Sequence, residues 1–213
     1  YSKNLFADND NVRQAPDILF SYPMPKVKEN KKQIFISVIS YKDKELNSDF
    51  NQMTNEEYIE KMAEITSGFT KEGYQVILAS FCREEGDLEA AKAIKNKSKQ
   101  QENITIFDYD GTNRKQLLEE MSSSVYIIAA RFHGTILGLA AEKSVFPILY
   151  SDKTKYVLED LGFHGAYADL RHPDSLSFEN AKKNLESEYK IDVTDSVKNA
   201  EKHFEKLDEF LNN

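Results

Sequence analysis

The stretch Val125-Tyr-Ile-Ile-Ala-Ala-Arg-Phe-His-Gly-Thr-Ile-Leu-Gly-Leu-Ala-Ala-Glu142 carries the fold in miniature. Val125–Ala129 is a short apolar run of strand length, suited to a strand buried on both faces. Gly134–Glu142 follows as a helix that is apolar nearly all round, so it also belongs in the interior. Lys143 and Ser144 then lead into a second apolar run, Val145–Tyr150. Lys153–Leu161 reads as another helix, stopped by Gly162. The polar residues Arg131 and His133 sit between the first strand and its helix.

The same alternation extends upstream. Ile34–Ile39 is a β-branched strand. Tyr58, Ile59, Met62, Ile65 and Phe69 recur at helical spacing and end at Gly73. Tyr74–Ser80 is the next strand, and Gly86-Asp87 opens a helix with Asp87 as the expected N-cap. Ile104–Phe107 is a strand, and Asn113 is placed to cap a short helix through Leu117, Leu118 and Met121. Strands alternating with helices predict an α/β fold: a doubly wound, mainly parallel, Rossmann-like sheet with helices on both faces. Residues 1–32 read as a lead-in or linker, 33–170 as the Rossmann-like domain, and 171–213 as a helical C-terminal extension packing on it. In that extension, Asp174–Tyr189 and Ser196–Leu211 read as helices. The second carries Val197, Ala200, Phe204, Leu207 and Leu211 on one stripe.

Composition narrows the function. The chain has 213 residues, a formal net charge of -8 and one cysteine. Such a charge disfavours a general phosphate-backbone binder, so no nucleic-acid partner is expected, and the basic run Lys26–Lys32 reads as a solvated lead-in. One thiol excludes a disulfide framework or a multi-thiolate zinc site within the chain, and points to a reducing, cytoplasmic setting. The stretch Val125–Tyr150 is interrupted by Arg131, His133, Glu142 and Lys143, so it does not read as a membrane span. There is no G-x-G-x-x-G, Walker A, H-E-x-x-H or G-x-S-x-G motif. Cys82 has no histidine near it in sequence and reads as a small side chain at a strand end. Asp8-Asn-Asp10 and Asp108-Tyr-Asp110 have the D-x-D form that can hold a divalent ion. Asp108–Gly111 also reads as a turn, and no metal or cofactor is expected.

Arg131-Phe-His-Gly134 is the strongest candidate site. It falls at the carboxyl edge of the expected sheet, where open α/β folds bind ligands. Arg131 offers a planar fork to a carboxylate or phosphate. His133 can hydrogen-bond or carry a proton near neutral pH. The amides of Gly134 and Thr135 are expected to point outward at the positive end of the helix, and Gly134 to allow close approach of a ligand.

Val125–Phe163, with Arg131-x-His133, Pro147, Tyr150-x-x-Lys153 and Leu161-Gly162, resembles the C-terminal signature of the polysaccharide pyruvyl transferase family. Ala15-Pro-Asp17 resembles its Pro-Asp before the linker, and Phe81-Cys-x-x-x-Gly-Asp87 the segment after its second strand. The resemblance implies one half of a GT-B-type fold, preceded by an N-terminal domain. It implies transfer of the enolpyruvyl group of phosphoenolpyruvate to hydroxyls of a saccharide acceptor, in surface polysaccharide biosynthesis in bacteria. Membrane association is implied only through a lipid-linked acceptor. Arg131, His133, Gly134, Thr135, Tyr150 and Lys153 are then the donor-site residues, with Arg131 and His133 catalytic. Where the family often has an arginine after its first strand, this chain has Ser40-Tyr41-Lys42, with Lys42 as the substitute cation. Two other readings compete: a GT-B-type glycosyltransferase domain using a nucleotide sugar, with Glu159 on the ribose, and an inactive Rossmann-like assembly domain.

Overall fold

Strand β1 (Lys31–Val38) is the centre of a six-stranded, all-parallel sheet. In this computed structural model, residues 15–42 and 53–212 are described. The remaining strands are β2 (Gln75–Ser80), β3 (Ile104–Asp108), β4 (Ser124–Ala129), β5 (Ser144–Leu149) and β6 (Ala168–Asp169). Their spatial order is β3-β2-β1-β4-β5-β6. The winding direction reverses between β1 and β4, which opens a crevice at their carboxyl ends. Residue pairs Ser37–Ala129 and Val38–Ser80 set the register at that edge.

The near-continuous apolar runs are explained by burial on both faces. Along β1, Ile34, Ile36 and Val38 enter one core cluster and Phe35 enters the other. The first layer is covered by α1 (Asn55–Lys71), α2 (Asp87–Lys97) and α6 (Phe178–Glu186), through Tyr58, Met62, Phe69, Ala91, Ile94 and Ala181. The second is covered by α3 (Arg114–Ser123), α4 (Phe132–Ala140), α5 (Asp152–Asp160) and α7 (Thr194–Ala200), through Leu117, Met121, Ile136, Leu139, Leu158 and Ala200. The fold is therefore the Rossmann-like α/β sandwich expected from the alternation.

Several local details differ from the sequence expectation. Helix α2 is N-capped by Gly86, not Asp87; Gly86 sits at φ +83°, where a side chain would be strained. Asn113 precedes α3 without a side-chain cap bond, because its Oδ1 accepts from Asp110 N and its Nδ2 donates to Asp108 O. Strand β6 is only two residues long, too short to leave a periodic signal. The expected helix over Ser196–Leu211 is interrupted by a 3-10 turn at Glu201–His203 and resumes as α8 (Glu205–Leu211). Its apolar stripe is thereby divided: Ala200 is buried, while Phe204, Leu207 and Leu211 are exposed. Within the first thirty residues, the turn Ile18–Ser21 places Phe20 in the second core cluster.

Candidate functional site

Strand β4 ends at Ala129, and Arg131 is the extended N-cap residue of α4. The Ser37 hydroxyl accepts from Arg131 N, and the Ser37 carbonyl accepts from Ala130 N, so β1 fixes the turn from strand into helix. Thr135 N already donates to Arg131 O. The amides lacking intrahelical partners are therefore those of Phe132, His133 and Gly134, not Thr135. Thr135 is buried, and its hydroxyl has no hydrogen-bond partner among the described residues. Gly134 has a packing reason. A Cβ there would lie 2.5 Å from Ser37 Oγ, so the missing side chain is what lets α4 sit on β1.

The Arg131 guanidinium does not stand open. Its Nε donates to Asp87 Oδ2 at 2.8 Å and its Nη2 to Asp87 Oδ1 at 2.5 Å. Its Nη1 donates to Glu85 Oε2 at 2.7 Å, and it also hydrogen-bonds the Tyr150 hydroxyl. Burial works against the charge, but the bonds to Asp87 and Glu85 outweigh it and raise the guanidinium's pKa. Asp87 is fully buried and also accepts from the backbone N–H groups of Ser40, Phe81 and Cys82. One carboxylate thus binds together the ends of β1, β2 and β4. Sequence reading assigned Asp87 to a helix cap. Its role at the edge was not visible because Arg131 and Ser40 lie 44 and 47 residues away.

His133 and Lys153 occupy the outer side of the same junction, and both are exposed. The Lys153 Nζ lies 3.9 Å from the centre of the Phe132 ring, a cation–π contact that carries the ammonium from α5 across to the first turn of α4. The Phe132 and His133 rings meet at 5.4 Å. Desolvation by the surrounding protein lowers the His133 pKa. Asp17 opposes this, and the charges of Lys153 and Arg131 add to the lowering. The balance favours the neutral imidazole, which offers one N–H donor. Asp17, whose side chain caps the turn Ile18–Ser21, was recognised only as part of a motif, not as a charge facing His133. Tyr150 is half-buried beside Arg131. Burial raises its pKa; Arg131 opposes this, while Glu85 and Asp87 add to it.

The structure thus gathers Arg131, His133, Gly134, Tyr150 and Lys153 at one sheet edge, with Thr135 beneath the surface. Lys42 is exposed four residues beyond the end of β1, and no contact ties it to this group among the described residues. Cys82 lies on the loop after β2, its thiol 3.7 Å from a Glu84 carboxylate oxygen. Asp108 pairs with Arg83, while Asp110 accepts from Thr112 and Asn113, as an Asx turn does. Asp8-Asn-Asp10 lies outside the described residues. No group of three or more His, Cys, Asp or Glu is placed to hold a metal ion among the described residues. Glu159 is exposed on α5, 4.0 Å from Lys155. Hollows of ≈770 Å³ and ≈920 Å³ lie toward the opposite, N-terminal edge of the sheet, bordered by Glu142 and Ser144. Chemistry, not concavity, singles out the β4–α4 junction.

Among the described residues, no helix is long and apolar enough to cross a membrane. The sequence model of the polysaccharide pyruvyl transferase family matches residues 1–152, ending one residue before Lys153. No curated protein matches the chain. Among solved structures, it is similar to the MAR1 ribonuclease from Caenorhabditis elegans, with 10% identity, 78% of each chain covered and a TM-score of 0.37. That likeness is too low to bear on function.

Proposed function

The chain belongs to the polysaccharide pyruvyl transferase family, and we propose on that premise that its β4–α4 junction holds phosphoenolpyruvate as the donor of a ketal-forming transfer. The observation that carries the reading is the convergence at one helix N-terminus of three amides without intrahelical partners, the His133 ring and the Lys153 ammonium. A doubly or triply charged donor needs such donors, and a helix N-terminus provides them without a mobile side chain.

The reaction needs a proton on the donor's methylene carbon, which makes the adjacent carbon oxocarbenium-like. One sugar hydroxyl attacks that carbon and loses its proton. The phosphate leaves with its electron pair, and a second hydroxyl closes the ketal with loss of a second proton. The acceptor protons balance those taken up by the methyl group and the phosphate. Partial desolvation of the His133 ring favours its neutral form, which suits holding phosphate better than protonating carbon. Lys153 supports charge on the departing phosphate as a point cation.

In this reading the saccharide acceptor is a surface polysaccharide or its lipid-linked precursor, and the reaction takes place in the cytoplasm, where the donor is made. Incubation of the protein with phosphoenolpyruvate and a panel of free and lipid-linked saccharides tests it. The expected products are inorganic phosphate and a ketal methyl signal, both lost in His133→Asn. Transfer from a nucleotide sugar with no use of phosphoenolpyruvate refutes it.

A further inference from the structure

The charge balance around Arg131 is unusual for an anion site. One guanidinium faces two carboxylates, Asp87 and Glu85, and a third carboxylate, Asp17, faces His133. Arg131 and Lys153 are outnumbered by these three carboxylates. An incoming phosphate or carboxylate would meet a net negative patch.

The two carboxylates on Arg131 are not equivalent. Asp87 is 0% exposed and grips the Nε–Nη2 edge of the fork, while three backbone amides hold it in place. Its bonds join three strand ends, so it cannot leave without opening the sheet edge. Glu85 is 50% exposed, lies in the loop between Cys82 and Gly86, and accepts from Arg131 Nη1 at 2.7 Å. A half-exposed carboxylate in a loop keeps much of its hydration, so its return to water costs less than release of the enclosed Asp87 would.

Resting on the donor reading above, we propose that Asp87 is the positioning residue for Arg131, and that Glu85 holds the Nη1 position which the donor's anionic group takes on binding. Binding is then an exchange of one carboxylate for another anion on a stationary guanidinium. The exchange removes the excess negative charge from the patch and explains how an arginine engaged on two sides can still serve a donor. It also makes Glu85 a selectivity element. A weakly charged ligand does not displace it, whereas a ligand with both a carboxylate and a phosphate meets Nη1 while its other end rests on the α4 amides and Lys153.

The test is a calorimetric titration of the full chain with phosphoenolpyruvate, comparing wild type, Glu85→Gln, Glu84→Gln and the double variant Glu85→Gln/Arg131→Gln. Glu84 is the control for charge: it is exposed on the same loop and bonds Cys82, not Arg131. Removing the competing carboxylate is expected to tighten donor binding by about tenfold, from unit charges some ångströms apart in a half-wet setting. Glu84→Gln is expected to change affinity by less than about threefold. The gain is expected to vanish in the double variant. Inorganic phosphate and pyruvate as separate probes show which end of the donor meets Nη1: the one whose affinity rises in Glu85→Gln. Unchanged or weaker donor binding in Glu85→Gln, with wild type binding normally, overturns the exchange alone. Equal gains in Glu84→Gln and Glu85→Gln overturn it too, since they reflect general charge. Saturable binding by none of the four proteins overturns the donor reading and the exchange with it.

Discussion

Replacing Asp87 with alanine removes the acceptor of five hydrogen bonds at once: two from Arg131 and one each from Ser40 N, Phe81 N and Cys82 N. The pair is buried, with Asp87 fully enclosed and the Arg131 side chain 12% exposed. Removing one partner of a buried pair costs about 3–5 kcal/mol, because the survivor is left as a poorly compensated charge. Glu85 still faces Arg131, but its half-exposed carboxylate offsets only a small part. The three amides belong to half-buried residues, so water can reach them and each adds a fraction of the usual 1–3 kcal/mol. The expected total is about 4–6 kcal/mol, a large share of the ~5–15 kcal/mol that holds a typical domain together. Urea denaturation measures it as a lower midpoint at unchanged slope. The double variant Asp87→Ala/Arg131→Met is expected to recover part of the loss, since no buried charge is then left alone. A loss below about 1 kcal/mol in Asp87→Ala would refute the view that this carboxylate organises the sheet edge.

Gly134→Ala places a Cβ 2.5 Å from Ser37 Oγ and is expected to destabilise by about 1–3 kcal/mol in thermal denaturation, with partial recovery in Gly134→Ala/Ser37→Ala. Lys153→Gln removes one of the charges that depress His133. Its NMR titration midpoint should move up toward 6.5, while phosphoenolpyruvate affinity falls about threefold to tenfold. The depressed His133 pKa has a stability consequence of fixed sign. The unfolded chain takes up the proton first, so the wild type loses stability as pH falls through 6.5 toward the lower folded midpoint, and His133→Asn removes that part of the acid sensitivity. Tyr126→Phe leaves the Ala181 carbonyl without its 2.8 Å donor and Asn184 with one bond fewer, for an expected cost of about 1–2 kcal/mol in urea unfolding.

The fold was legible where the periodicity was strong. Five of the six strands are apolar runs because both sheet faces are covered, and Gly73, Gly86 and Gly162 mark turns that take positive φ. Strand β6 was missed because two residues cannot show a period. The C-terminal stripe was overread as one helix. Val197 and Ala200 do face the core, but the turn at Glu201–His203, where the His203 ring meets the Pro16 carbonyl at 2.8 Å, separates them from Leu207 and Leu211.

The position of Arg131 and His133 at a strand–helix junction was legible, because residue type and such a junction are local properties. What those residues bond to is not local. That Arg131 is gripped by Asp87 and Glu85, and that Gly134 makes room for Ser37, follow from which strands become neighbours. The sheet order alone decides this.

The most direct test of the donor site is the His133 imidazole signal in NMR spectra of the full chain, followed during titration with phosphoenolpyruvate and, separately, with a UDP-sugar. The account predicts a saturable shift with phosphoenolpyruvate, accompanied by a rise in the His133 titration midpoint as the anion settles beside it. A saturable shift with the UDP-sugar alone, or none at His133 while phosphoenolpyruvate binds elsewhere on the chain, would contradict it.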